Sequence, residues 1–125
     1  MHILLVDDEA ELVSALAERL AMRGFTTTYA TSGEAAVELA RTTPFDLAVL
    51  DIKMPGLSGL ELKKKLQSML PGLRCIFVTG HGSEEDFRAC AAEASSYLIK
   101  PVRIEELVAK INEATGGEAG GERGA

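Results

Sequence analysis

Four apolar runs in this chain end on residues able to do chemistry. Ile3–Val6 leads into Asp7-Asp8, Leu47–Leu50 into Asp51, Cys75–Val78 into Thr79, and Tyr97–Ile99 into Lys100. Ile3–Val6 and Leu47–Leu50 have the pattern of strands buried on both faces of a parallel sheet, and the other two runs read as further strands. Strands of a parallel sheet all end at one edge, and open α/β sheets take their ligands there, at the point where strand order reverses. Three carboxylates gathered at such a point repel one another, and one ammonium does not offset them all. Oxygen-only donors suit a hard cation such as Mg²⁺, which keeps several waters and uses few carboxylates. A divalent cation beside a carboxylate, a hydroxyl and an ammonium is a setting for a phosphoryl group. Asp51 can attack phosphorus as a nucleophile and form an acyl phosphate. The cation, Thr79 and Lys100 can then neutralise the oxygens of the transferring group.

Each of these residues also fits a plainer role. Asp51 can cap its strand or accept loop amide protons, Asp7 and Asp8 can cap the helix that follows, Thr79 can serve its own loop, and Lys100 can be a solvated surface lysine. The joint pattern favours chemistry, because separate strand ends supply one coherent set.

The elements that must position this set alternate regularly. A first helix is expected from about Glu9 to Met22, with Leu12, Val13, Leu16 and Leu20 on one stripe. Asp8 is its expected N-cap, Glu11 stands in the capping-box position, and Gly24 ends it. Phe25 to Ala30 is rich in Thr and Tyr and reads as an edge strand. Ser32-Gly33-Glu34 opens a second helix to about Arg41, stopped near Pro44. Ser58 and Glu61 form a capping box for a third helix that ends before Pro71-Gly72. Ser83 opens a fourth, with the acidic first turn Glu84-Glu85-Asp86. A last helix is expected from about Arg103 to Glu113, with Ile104, Leu107, Val108 and Ile111 as its buried stripe.

Five strands alternating with five helices imply an α/β, doubly wound, single-domain parallel sheet with right-handed crossovers. The polar second strand belongs at an edge, and the five strands fit the order 2-1-3-4-5. The domain is expected to span 1–114, with 115–125 a flexible Gly-rich tail or linker.

With 125 residues, 46% of them hydrophobic and 26% charged, the chain has the composition of an ordinary soluble domain. Its net charge of −6 argues against nucleic acid or an anionic membrane as a direct partner. No apolar run is long enough for a membrane span or signal-peptide core. Cys75 and Cys90 have no metal spacing, and both are expected as buried free thiols in a reducing, cytoplasmic setting. His2 is expected to face solvent from its strand.

The chain resembles a receiver domain of two-component response regulators, with the chemotaxis-regulator-like, flavodoxin-like fold. The resemblance covers about residues 2 to 114. It is carried by Asp7-Asp8, by Asp51-Ile-Lys-Met-Pro with Gly59, by Thr79-Gly80, and by Tyr97-Leu-Ile-Lys100-Pro101. It implies that Asp51 is the phosphoacceptor, taking a phosphoryl group from the phosphohistidine of a sensor histidine kinase or a phosphotransfer protein. Asp8, Asp51 and the backbone carbonyl of Lys53 would ligate Mg²⁺, with Asp7 acting largely through water. Lys100 would pair with Asp51 and then with the phosphoryl oxygens. Thr79 would swing toward the phosphoryl group, and Tyr97 would turn inward into the space vacated. The Lys100-Pro101 bond would be cis. A downstream effector would read the face built from the fourth helix, fifth strand and fifth helix. Lys53 and His81, two residues past Asp51 and Thr79, stand where acyl-phosphate lifetime is tuned.

Glu93 departs from the glycine common in this family before the fifth strand, so the expectation there is either a different turn or a longer helix. Two other readings belong to different classes. A Mg²⁺-dependent phosphatase with an Asp nucleophile typically wants a second acid two residues on, and Lys53 occupies that place. A phosphorylation-independent pseudo-receiver would not need the full acid set together with Thr79 and Lys100. The signalling phosphoacceptor, with only self-directed chemistry, is the favoured expectation.

Overall fold

A computed structural model describes residues 1–80, 88 and 96–116. In chain order the elements are β1 (His2–Val6), α1 (Ala10–Met22), β2 (Thr26–Ala30), α2 (Gly33–Thr42), β3 (Leu47–Asp51), α3 (Gly59–Met69), β4 (Arg74–Thr79), β5 (Ser96–Ile99) and α4 (Ile104–Ala114). The strands form one parallel sheet in the order β2-β1-β3-β4-β5. This is the expected topology, with the Thr-rich β2 at an edge. Four helices lie among the described residues. The helix expected after Ser83 falls outside them apart from Arg88, as do His81, Cys90 and Glu93.

Alternation along the strands sends successive side chains to opposite faces. Ile3, Leu5, Leu47, Val49, Ile76 and Val78 share one buried cluster with Val13, Leu16 and Leu20 of α1 and Leu107, Val108 and Ile111 of α4. Leu4, Val6, Ala48, Leu50, Cys75 and Phe77 share the other with Ala36, Val37 and Ala40 of α2 and Leu62 and Leu66 of α3. Because both faces are covered, the central strands read as unbroken apolar runs. β2 gains a tether from its polar composition: Thr27 Oγ1 donates to the carbonyl of Ala17 at 3.0 Å.

The helix ends follow their local chemistry, with one correction. Ser32 Oγ accepts from the amide of Ala35 at 3.1 Å and starts α2. Ser58 and Glu61 make both halves of the capping box of α3. At the end of α1, Gly24 takes a φ of 96°, and the amides of Gly24 and Phe25 bond back to Ala21 and Leu20. Those paired bonds are the Schellman closure that a left-handed glycine permits. The start of α1 differs from expectation. Its N-cap is Glu9, not Asp8, and no side chain caps it. Instead Asp7 Oδ1 accepts from the Glu9 amide at 2.9 Å, which closes the β1–α1 turn one residue earlier.

His2 also differs from its expected solvent-facing placement. It is half-buried, with Nε2 2.7 Å from Thr28 Oγ1 and its ring edge-on to Phe45 at 4.8 Å. The neighbouring edge strand and the turn before β3 cover it. Cys75 is a buried free thiol, as expected. No described helix is long and apolar enough to cross a membrane.

Candidate functional site

One residue past the Val6–Leu50 pair of the β1–β3 ladder, the chain presents Asp7 on one strand end and Asp51 on the other. Both carboxylates are buried, at 6% and 4% exposure, while Asp8 remains exposed. Oxygens of Asp7, Asp8 and Asp51 all lie within 4.8 Å of one another. The three acids expected to converge therefore do so.

Lys100 enters from the end of β5, its amide bonded to the carbonyl of Thr79 at 2.8 Å and its peptide bond to Pro101 cis. Its ammonium lies 2.9 Å from Asp7 Oδ2, 2.7 Å from Glu9 Oε1 and 3.4 Å from Asp51 Oδ2. Thr79 is buried at 2% exposure at the end of β4, one strand from Asp51. Tyr97 is half-buried and packs against the cluster shared by α2 and α3. Lys53 is exposed, and its amide reaches Asp51 Oδ1 only at 3.4 Å. Asp8, Glu9, Asp51, Lys53, Gly80 and Lys100 line an open cleft of about 290 Å³.

The cleft carries more negative charge than its lysine relieves. Burial, followed by the charge of Asp7, pushes the Asp51 carboxyl up to about 6 despite Lys100 and the Lys53 amide. Burial works against the Lys100 ammonium, but the hydrogen bonds of Glu9 and Asp7 and the charges of Asp51 and Asp7 outweigh it. Lys100 therefore holds its proton more tightly than an ordinary lysine. A pocket with surplus anionic oxygens, one of them already pushed toward protonation, fits a hard divalent cation.

The backbone keeps α3 tight against this edge. The Gly59 amide donates to the carbonyl of Ile52 at 2.9 Å. A Cβ on Gly59 would meet the Asp51 carbonyl carbon and Ile52 Cα, each at 2.9 Å. Gly33, at the start of α2, is likewise pressed against Leu57 of the loop leaving the site, where a Cβ would come 2.8 Å from the Leu57 Cβ.

Glu9 is the site residue that sequence reasoning missed. As the third acid of a run at a helix start it reads as dipole complement, and its contact with Lys100 spans 91 positions of sequence. No local signal announces such a contact.

A family model described as the response regulator receiver domain matches residues 3–112. Over 110 residues the chain is 36% identical to the probable transcriptional regulatory protein TcrX of Mycobacterium tuberculosis, covering 87% of this chain and 47% of that protein. Among solved structures, a CheY-like response regulator receiver domain protein from Methanospirillum hungatei superposes with a TM-score of 0.81 at 31% identity, covering 90% of each chain. A Burkholderia pseudomallei response regulator with a phosphorylated aspartic acid, calcium ion and citrate superposes with a TM-score of 0.80 at 28% identity, over 94% of this chain and 72% of that one. The chain spans about a quarter to a half of the length of the curated relatives it matches.

Proposed function

The chain belongs to the response regulator receiver domain family, and from that premise we propose that Asp51 is its phosphoacceptor. The observation that supports this most is the placement of Asp51. It is buried at a strand end, grouped with Asp7 and Asp8, and 3.4 Å from the Lys100 ammonium. Receiver domains are signalling phosphoacceptors that work with histidine kinases and downstream effectors, and this chain is a receiver domain of two-component response regulators. The phosphodonor proposed for it is a phosphohistidine on a sensor kinase or a phosphotransfer protein.

In the proposed step a carboxylate oxygen of Asp51 bonds to phosphorus as the bond from phosphorus to the donor imidazole nitrogen breaks. The electron pair leaves with the imidazole, and Asp51 becomes an acyl phosphate. Lys100 gives a proton of its ammonium as a hydrogen bond to a phosphoryl oxygen, and Thr79 supplies a hydroxyl to another. Asp8, Asp51 and the Lys53 carbonyl would hold Mg²⁺, with Asp7 acting through water. When bound there, Mg²⁺ supplies the positive charge that one lysine does not. Addition of the phosphoryl group brings up to about two further negative charges and new acceptor oxygens to the cleft. Thr79 and Tyr97 are the proposed two-position elements that this charge biases, passing the change to an output face that includes β5 and α4.

Residues 1–114 are proposed as the receiver unit and 115–125 as tail or linker. Lys53 and His81 are proposed to tune acyl-phosphate lifetime. Equal dephosphorylation rates for the parent, Lys53→Ala and His81→Ala would remove that assignment.

Intact-mass spectrometry after incubation with acetyl phosphate tests the acceptor directly, with and without Mg²⁺ and with Asp51→Asn alongside. The expected result is one phosphoryl adduct that requires both Mg²⁺ and Asp51. Absence of any adduct, with no phosphate released, would leave a partner-binding pseudo-receiver.

A further inference from the structure

Three carboxylates share one ammonium in this cleft and occupy all its protons, and they are not equivalent. An ammonium has three protons to donate, and Asp7, Glu9 and Asp51 each sit within reach of Lys100. The shortest contact, 2.7 Å, is to Glu9, and the longest, 3.4 Å, is to the proposed nucleophile. The side chain of Asp7 is 9% exposed and tied to the Glu9 amide, whereas the side chain of Glu9 is 61% exposed. Glu9 is also the N-cap of α1, yet its carboxylate caps nothing in its own helix and reaches across to β5 instead.

Resting on the phosphoacceptor reading of Asp51, we infer that Glu9 is a displaceable positioning residue. It draws the Lys100 ammonium toward the mouth of the cleft in the unmodified protein and yields it when phosphoryl oxygens arrive at Asp51. Asp7 stays in place because burial and its bond to the turn hold it. Glu9 leaves because its carboxylate is rehydrated at once on swinging into water, so its departure is the least costly of the three. Every phosphorylation therefore includes an exchange of one Lys100 partner, a carboxylate oxygen for a phosphoryl oxygen. No proton or bond is transferred in that exchange. Glu9 touches neither phosphorus nor the attacking oxygen, and its whole effect passes through Lys100.

The test compares parent and Glu9→Gln in the rate of adduct formation with acetyl phosphate and saturating Mg²⁺, read by intact mass. Each is measured at about 0.1 M and about 1 M KCl, where the screening length falls from roughly 10 Å to roughly 3 Å. Removing the competitor for Lys100 should raise the second-order rate constant by about fivefold, the effect of one half-exposed ion pair. Part of the gain should remain at the higher salt, because a contact of 2.7 Å is no longer than the screening length there, whereas repulsion acting over the width of the cleft would be lost. Equal rates for the two proteins would overturn the inference. So would a gain confined to low salt, which would make Glu9 only a fixed charge repelling an anionic donor. Denaturation midpoints of the two proteins, taken alongside, separate a change in Lys100 placement from a change in the fold. Absence of an adduct in the parent itself would remove the Asp51 reading, and this inference with it; an adduct with no Glu9 effect removes only the latter.

Discussion

The first residue of α3 lies against the backbone of the proposed phosphoacceptor: Gly59 has no room for a Cβ beside the Asp51 carbonyl. The helix that follows the site is thus seated on the strand end that carries it. Gly59→Ala should force α3 away from β3 and lower stability by about 1–3 kcal/mol, the usual range for inserting a methyl group where backbone cannot yield. Gly72→Ala, at a position with nothing within 4 Å, is the control and should leave stability nearly unchanged. Urea denaturation of both variants checks this.

Asp51 should make the metal-free protein lose stability as pH rises. Its folded pKa of about 6 lies above the ordinary aspartate value of 3.8, so between these values the folded state binds more protons than the unfolded one. Below that window both states are protonated and the burial of charge exerts no penalty. Through it, stability should fall by at most about 3 kcal/mol, then level off above. In EDTA, Asp51→Asn should abolish this slope and raise the denaturation midpoint at pH 7. Mg²⁺ should stabilise the parent at pH 7 and do far less for the variant, because a ligand stabilises only the form that binds it.

Cys75 should be inert in the folded protein. Burial pushes its thiol up to about 12, with Lys63 opposing weakly, so almost no thiolate forms at neutral pH. In a Cys90→Ala background, alkylation by iodoacetamide at pH 8 should run at least about a hundredfold slower than in denaturant. Comparable rates in the two conditions would contradict the burial of Cys75 under α3.

The capping box of α3 is the local support of the same helix that Gly59 seats. Ser58→Ala deletes the acceptor for the Glu61 amide, a bond of 3.2 Å, and should lower stability by about 1 kcal/mol. Ser58→Thr should retain most of it. Both are read from urea midpoints.

Much of this protein is legible in its amino-acid sequence, for physical reasons that differ by element. Ile3–Val6, Leu47–Leu50 and Cys75–Val78 are buried on both faces, so their composition alone marks them as central strands. Ser32, Ser58 with Glu61, and Gly24 act through bonds no more than a turn away, so spacing reveals them. The polar composition of β2 places it at an edge, which fits the order β2-β1-β3-β4-β5, and in that order Asp7, Asp8, Asp51, Thr79 and Lys100 share one edge of the sheet.

Local pattern thus carries the architecture and the chemical types at the strand ends, because burial and capping act within a few residues. Tertiary structure alone decided how those groups share their charges. His2 is covered because Thr28 and Phe45, distant in sequence, pack over it. Above all, Lys100 meets Glu9 more closely than Asp51, a preference measured in tenths of an ångström between residues 91 positions apart. Distances of that kind arise from the packing of whole strands and helices, and no pattern within a strand or a helix encodes them.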